Sequence, residues 1–347
     1  EVGLVAYWNF NEGEGTTLTD LCNNENNGTI YGATWNDEGY SFSKTWHVAT
    51  TGSDDTGDGT ESNPYATIQK GVDRAVYGDT VLVHPGTYGH VNNVSNIFLI
   101  SAQGPNQTVI DANLQHTAVH INYNSITTDF TFISGFTITG GVCSYDEYNM
   151  GSMYEGGGIS GGGDAFSFSN VHISNMIFYG NEIDINLRYG FNNPVGTAII
   201  SNSTFIVDRN HPTIETLNHP TTVTNCIFID QDEGSFDISF TENESFTISN
   251  SLFFPNLDNV GAHIDGGANI VANPIFCDPD IRDYSLASNS PAIGAGENGT
   301  NIGALGIGCD AINLSMDKDI LPLKCGLHQN YPNPFNPFTT LQYDLPN

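Results

Sequence analysis

The residues best able to do chemistry are few and scattered. Asp208-Arg209-Asn210-His211 sets an acid, a base and an imidazole within four residues, the types that move protons in general acid–base catalysis. Asp184, Arg188 and His219 lie near it in sequence. Asp54, Asp55 and Asp58, in Ser53-Asp54-Asp55-Thr56-Gly57-Asp58-Gly59, offer hard oxygen ligands at a tight turn, the donor set Ca2+ prefers. Asp278, Asp280 and Asp283 form a similar group. Tyr145, Tyr148 and Tyr154 sit among glycines in 140–164, and exposed tyrosines stack on sugar rings, so a surface glycan or partner contact is expected there. Each group also has a plainer account, as solvated loop charge or a Gly-rich turn. No residue is assigned a catalytic role, and Ca2+ is the one cofactor the pattern admits.

The composition narrows the partners. Among 347 residues, 39 Asp and Glu face 8 Lys and Arg, a formal net charge of −31. Eight scattered cations cannot neutralise a phosphate backbone, so nucleic acid is excluded as a partner. Anionic membranes and anionic polysaccharides are repelled for the same reason unless a divalent cation mediates. No apolar run approaches the roughly 20 residues of a membrane-spanning helix. The chain is rich in Asn (40) and Gly (38), with charged residues at only 14%; it is turn-rich and not helical. Its 20 Phe and 15 Tyr suffice for a sizeable core.

Any site must be positioned by the repeat in the middle of the chain. Six segments align without gaps, beginning at Ile133, Ile173, Ile200, Val223, Ile248 and Val271. The first column is always Ile or Val; the third is Asn in five of six and the last Phe in five of six, ending at Phe178, Phe205, Phe228, Phe253 and Phe276. Third-column residues are 40, 27, 23, 25 and 23 apart. A repeat of this length, β-branched and without helical periodicity, predicts a parallel β-solenoid whose equivalent residues stack roughly 4.8 Å apart. Stacked Asn amides and Phe rings would then form ladders. The long first interval marks an insertion in 140–164.

Upstream, Asn63 to Val76 predicts one amphipathic helix, with Ile68, Val72, Ala75 and Val76 on one face and Asn63-Pro64 as its start. With the strand Thr80-Val81-Leu82-Val83 it is expected to cap the first coil.

These segments carry a resemblance. Val48-Ala49-Thr50-Thr51-Gly52-Ser53-Asp54, Asn63-Pro64-Tyr65-Ala66-Thr67-Ile68-Gln69 and Pro85-Gly86-Thr87-Tyr88 resemble the opening of secreted right-handed parallel β-helix proteins of the pectin-lyase-like superfamily. Ala272-Asn273-Pro274-Ile275-Phe276-Cys277-Asp278-Pro279, with Asn301-Ile302-Gly303-Ala304, is similar to the closing coils of that group. The resemblance implies an all-β fold of roughly nine coils. Its lyase patterns, Arg-x-Pro-x-x-Arg and Trp-x-Asp-His, are absent, and so is the paired-Asp pattern of polygalacturonases. Gly3-Leu4-Val5-Ala6-Tyr7-Trp8-Asn9-Phe10, with Asn27-Gly28-Thr29-Ile30-Tyr31-Gly32, resembles part of a laminin-G-like jelly roll. Asn330-Tyr331-Pro332-Asn333-Pro334-Phe335-Asn336-Pro337 resembles the start of a type IX secretion sorting domain, an Ig-like sandwich.

The expected organisation is therefore a partial sandwich in 1–45, a β-helix in 46–312, and a linker with a first sandwich strand in 313–347. The absence of Met or an apolar segment at Glu1 suggests a removed signal peptide and a trimmed precursor. The resemblance places the protein outside the cell, on a bacterial surface, and Cys309 with Cys325 is the expected local disulfide. The sandwich fragments expose strand edges, so self-association is expected. Non-catalytic structural or adhesive work is the leading function; a secreted polysaccharide lyase or glycoside hydrolase is the alternative.

Overall fold

The structure is a computed structural model. It describes residues 15–19, 26–31, 43–122, 129–144, 155–162, 169–188, 196–207, 213–217, 220–230, 238–240, 245–255, 264–312, 326–327 and 343–344. Three parallel sheets of nine, eight and six strands run side by side. Each full coil contributes one strand to each sheet, as in Ser169–Ser174, Ile177–Tyr179 and Ile185–Arg188. In every sheet the strands follow one another in chain order. The chain is thus a right-handed parallel β-helix, the solenoid the repeat predicted with the hand the resemblance implied. Among the described residues no helix is long and apolar enough to cross a membrane.

The repeat columns are the core. Pairing puts Leu99, Ile133, Ile173, Ile200, Val223 and Ile248 in one line across the nine-stranded sheet, all fully buried. On the facing eight-stranded sheet Phe178, Phe205, Phe228 and Phe253 stack face to face. Their ring centroids are 4.8, 4.8 and 5.0 Å apart, with planes within 9°. Each buried ring contributes roughly 1.5–3 kcal/mol through the hydrophobic effect.

The Asn column owes its identity to the backbone more than to amide stacking. Asn175, Asn202, Asn225 and Asn250 have φ of 54°, 47°, 55° and 48°, the left-handed region that Asn tolerates better than other non-glycine residues. Amide-to-amide contact occurs where Asn225 Nδ2 donates to Asn202 Oδ1 at 3.3 Å. Asn175 Nδ2 instead donates to Ser134 Oγ at 3.1 Å.

The sixth segment departs from the predicted register. Phe253 pairs with Val271, and the left-handed position after Gly267 is held by Ala268. Asn273 and Phe276 are off the ladders. Residue four of a repeat donates its N–H across coils, as Met176 does to Ser203 Oγ and Cys226 to Ser251 Oγ, both at 3.2 Å. Pro274 has no N–H to give, so the motif that begins at Val271 cannot occupy that place.

The segment expected to close the coils folds back along them. Phe276–Asp278, Asp283–Ala287 and Ile307–Cys309 form a small sheet. It lies on the outer face of the eight-stranded sheet, packing Leu286, Ala292 and Ile302 on Ile227 and Leu252, and Tyr284 on Ile177 and Ile206. Cys277 and Cys309 flank the middle strand with Cα atoms 5.8 Å apart and are disulfide-bonded. This corrects the expected Cys309–Cys325 pair, because the strand pairing brings Cys277 to Cys309 from 32 residues away. Cys325 lies outside the described residues.

The capping helix is shorter than predicted, Ile68–Arg74. Thr67, not Asn63, is its N-cap, and its side chain accepts from Lys70 N–H. Asp54 orders that cap, accepting from Ala66 and Thr67 N–H and from Thr67 Oγ1. Val76 falls beyond the helix and is 56% exposed. The helix approaches the first coil so closely that a Cβ on Gly71 would meet Val81 at 2.8 Å and Val48 at 2.9 Å. Asp79 ties the cap to the coil: its buried carboxylate accepts from Lys44 N–H, Trp46 Nε1 and Val76 N–H.

The insertion springs from the turn between the eight- and six-stranded sheets. Its base is an antiparallel pair, Cys143–Ser144 with Glu155–Gly156. Ile159–Gly162, inside the span taken as inserted, is a regular strand of the six-stranded sheet. Of the flanking segments, Thr17–Leu18 pairs with Gly28–Thr29, and Gly326–Leu327 with Tyr343–Asp344.

Candidate functional site

Each of the three sheets has an outer face, and the sequence of each decides what it can do. The eight-stranded face is occupied by the folded-back segment. There Gly303 N–H donates to Asn225 O at 2.8 Å, and Arg282 reaches Tyr179 Oη at 3.1 Å with its guanidinium 4.4 Å from the ring centre.

The six-stranded face is polar. Parallel register aligns His120, Ser160, Asn186 and Glu215 on adjacent strands. Ser160 and Asn186 are 3% and 2% exposed. The Ser160 Oγ and Thr213 Oγ1 atoms are buried without a hydrogen-bond partner. Asp184, just before this row, is buried and accepts from Asn181 Nδ2 at 3.0 Å.

The nine-stranded face carries an aromatic cluster. In strands that bury alternate residues, Phe98, Phe132, His172 and Ile199 occupy one outward column on four adjacent strands. Phe130, two residues before Phe132, joins them. Phe98 lies 6.1 Å from Phe130 and 6.0 Å from Phe132, ring centre to ring centre. The His172 ring meets Phe132 edge-on at 5.0 Å and 87°. Its Nε2 is 3.1 Å from Ser201 Oγ. Phe130 is 36% and Ile199 39% exposed. Burial lowers the His172 pKa below the ordinary histidine value and so favours the neutral ring. Beyond Ile199 the column continues as Thr222 and Thr247. The face therefore passes from rings to hydroxyls over a span of roughly 25 Å at 4.8 Å per strand.

The other predicted residues fall elsewhere. Asp54 is committed to the helix cap, and Asp58 accepts from Thr60 N–H and Oγ1 at 3.0 and 2.7 Å. Burial opposes ionisation of Asp54, but the Thr67 and Ala66 hydrogen bonds and the Lys70 charge outweigh it and lower its pKa. For Asp58, hydrogen bonds from Thr60 do the same. Asp55 stands in the same turn. Asp283 accepts from Ser285 N–H and Oγ, and Asp280 lies in the turn Pro279–Ile281. Among the described residues no group of three or more His, Cys, Asp or Glu is arranged to hold a metal ion. Tyr145, Tyr148, Tyr154, the Asp208–His211 cluster and His219 lie outside the described residues. Cys226 is a buried free thiol whose pKa burial pushes up to about 12, so it is not a nucleophile.

Sequence reading missed the aromatic face. Asp129-Phe130-Thr131-Phe132 directly precedes the repeat segment that begins at Ile133, and its alternation is the available signal: Phe130 and Phe132 point opposite to the buried Thr131 and Ile133.

No protein-family profile matches the chain, and no curated protein matches it. A solved structure of a rhamnogalacturonan lyase is similar over 60% of this chain and 68% of its own, at 15% identity and a TM-score of 0.36. At that overlap neither activity nor substrate follows.

Proposed function

We propose that this is a non-catalytic extracellular protein with a structural or adhesive role, holding an uncharged glycan of a bacterial surface on the outer face of its nine-stranded sheet. The observation that carries this reading is the outward-facing cluster of half-buried Phe98, Phe132 and His172 around the exposed Phe130, set on a rigid sheet and followed by a hydroxyl column. Aromatic rings cover the apolar faces of pyranose units, while hydroxyls hydrogen-bond their edges. The −31 charge selects against acidic sugars. The Cys277–Cys309 disulfide supports an oxidising compartment.

Affinity electrophoresis and calorimetry with a panel of neutral polysaccharides test this reading. Retardation by at least one of them, weakened about tenfold or more in Phe130→Ala and Phe132→Ala, is expected. Absence of binding across the panel, or equal binding by both variants, would overturn it.

A polysaccharide lyase or glycoside hydrolase is the second reading, favoured by the half-buried His120 and Glu215 at the ends of the polar row whose middle, Ser160 and Asn186, is buried. Release of new reducing ends or unsaturated products from uronate or neutral polysaccharides would establish it in place of the first.

A further inference from the structure

The nine-stranded face presents more than its aromatic cluster. From Phe98 through Phe132, His172, Ile199 and Thr222 to Thr247, one outward column crosses adjacent strands, and each of its residues is half-buried or exposed. A second row runs beside it. Phe130 pairs with Asn170, whose Oδ1 accepts from Thr197 N–H at 3.1 Å and from Thr197 Oγ1 at 3.0 Å. The rows lie two residues apart along the strands, about 6.6 Å, close to the width of one pyranose ring. None of these residues is Asp, Glu, Lys or Arg, in a chain whose net charge is −31. The face is also straight. Adjacent strands of an ordinary sheet turn by roughly 20–25°. In the same coils, the Phe178, Phe205, Phe228 and Phe253 rings turn by only 3°, 5° and 9° from one to the next. The coils therefore stack with little rotation, and the column keeps its direction over roughly 25 Å at 4.8 Å per strand.

We infer that this strip binds a linear, uncharged, β(1→4)-linked glycan lying along the solenoid axis, across the strands and not parallel to them. The inference rests on the reading of this face as a neutral-glycan surface and adds the linkage, direction and length of the ligand. Equatorial linkages turn each pyranose over relative to the last and hold the chain as a straight ribbon. Its advance per unit is close to the strand spacing, so the ribbon meets successive strands in step. Its ring faces rest on Phe98, Phe130 and Phe132 at one end, and its hydroxyls hydrogen-bond Thr222 and Thr247 at the other. A column of this length holds on the order of five units. An α(1→4) linkage coils the chain, which then leaves a straight strip after its first units. A glycan laid along one strand would meet either rings or hydroxyls, since Phe132 and Thr222 are separated by the strands of His172 and Ile199.

Calorimetry of the purified full chain with β(1→4)-linked gluco-, manno- and xylo-oligosaccharides, from disaccharide to octasaccharide, tests the inference. An α(1→4)-linked malto-oligosaccharide series runs beside them. For at least one β-linked series, affinity is expected to rise about tenfold or more from disaccharide to pentasaccharide and then to level off. The α-linked series should be weaker at every length beyond the trisaccharide. Thr222→Val and Thr247→Val each remove a hydroxyl and keep a strand-favouring shape. Each should bring pentasaccharide affinity down toward that of the trisaccharide, whereas Phe130→Ala should weaken every length, with circular dichroism confirming the fold. Three outcomes would overturn the axial ribbon and leave the neutral-glycan reading standing: binding without length dependence, equal binding of the α-linked series, or Thr→Val variants that match the wild type. Absence of binding to any neutral glycan would overturn both.

Discussion

Asp79 shows how much of the cap rests on one side chain. Burial alone would raise its pKa. Hydrogen bonds from Lys44 and Val76 N–H and from the Trp46 indole, with the Lys44 charge, outweigh that and hold it below the ordinary carboxylate value. Its folded pKa is depressed, so its contribution is complete above the unfolded value of about 3.9 and is lost as pH falls through the lower folded value. Asp79→Asn should cost about 2 kcal/mol at pH 7, because three donors lose a charged acceptor. The gap in melting temperature between wild type and variant should close as the buffer is taken below about pH 4. An equal gap at pH 7 and at pH 3 would show that packing, not charge, supplies the effect. Phe130 behaves oppositely to Asp79: an exposed ring contributes little to stability, so Phe130→Ala should alter binding and leave the melting temperature nearly unchanged.

At the scale of elements, the two ladders make separable predictions. Phe205 is stacked on both sides, between Phe178 and Phe228. Phe205→Ala removes both contacts and opens a cavity, which should cost about 3–5 kcal/mol in chemical denaturation. The Asn column is conformational. Asn202 has φ 47°, so Asn202→Gly should be tolerated, while Asn202→Ala should cost about 1 kcal/mol from left-handed strain. Equal losses in the two variants would assign the column to side-chain hydrogen bonding. The Asn and Phe columns were legible in the sequence because stacking forces identical environments on equivalent residues. The sixth segment misled because Val271, Asn273 and Phe276 satisfy the pattern by type, whereas coil membership also requires the N–H that Pro274 lacks.

Over the whole molecule, the segment 276–309 acts as a lateral strap. Its disulfide closes a loop of 32 residues' separation, worth about 3–4 kcal/mol in the chain-entropy account. Cys277→Ser should lower the unfolding free energy by that amount, with a lower unfolding midpoint, and expose the apolar outer face formed by Ile177, Ile206, Ile227 and Leu252. Increased dye binding and aggregation before global unfolding would mark that exposure, and an unchanged midpoint would show that the strap holds by packing alone. At the C-terminal end of the stacked sheets, Ile264–Gly267 and Ile270–Val271 are edge strands, with Val271 51% exposed. Self-association through such edges should appear in light scattering as growth with concentration, strengthened by salt that screens the −31 charge. A monodisperse monomer across these conditions would exclude it.

Sequence alone determined the solenoid, because a repeat near 25 residues with β-branched and aromatic columns has one economical way to bury them. It also determined the scarcity of cations, 8 Lys and Arg against 39 Asp and Glu. Tertiary structure decided what lies outward. Whether Phe132 is core or surface depends on the alternation within its strand, and the eight-stranded face is unavailable because a distant segment folds onto it. The Cys277–Cys309 bond and the meeting of His47 with His84 are likewise products of strand register. Residues 32 and 37 positions apart become neighbours because coils stack, and no local pattern in the chain records that distance.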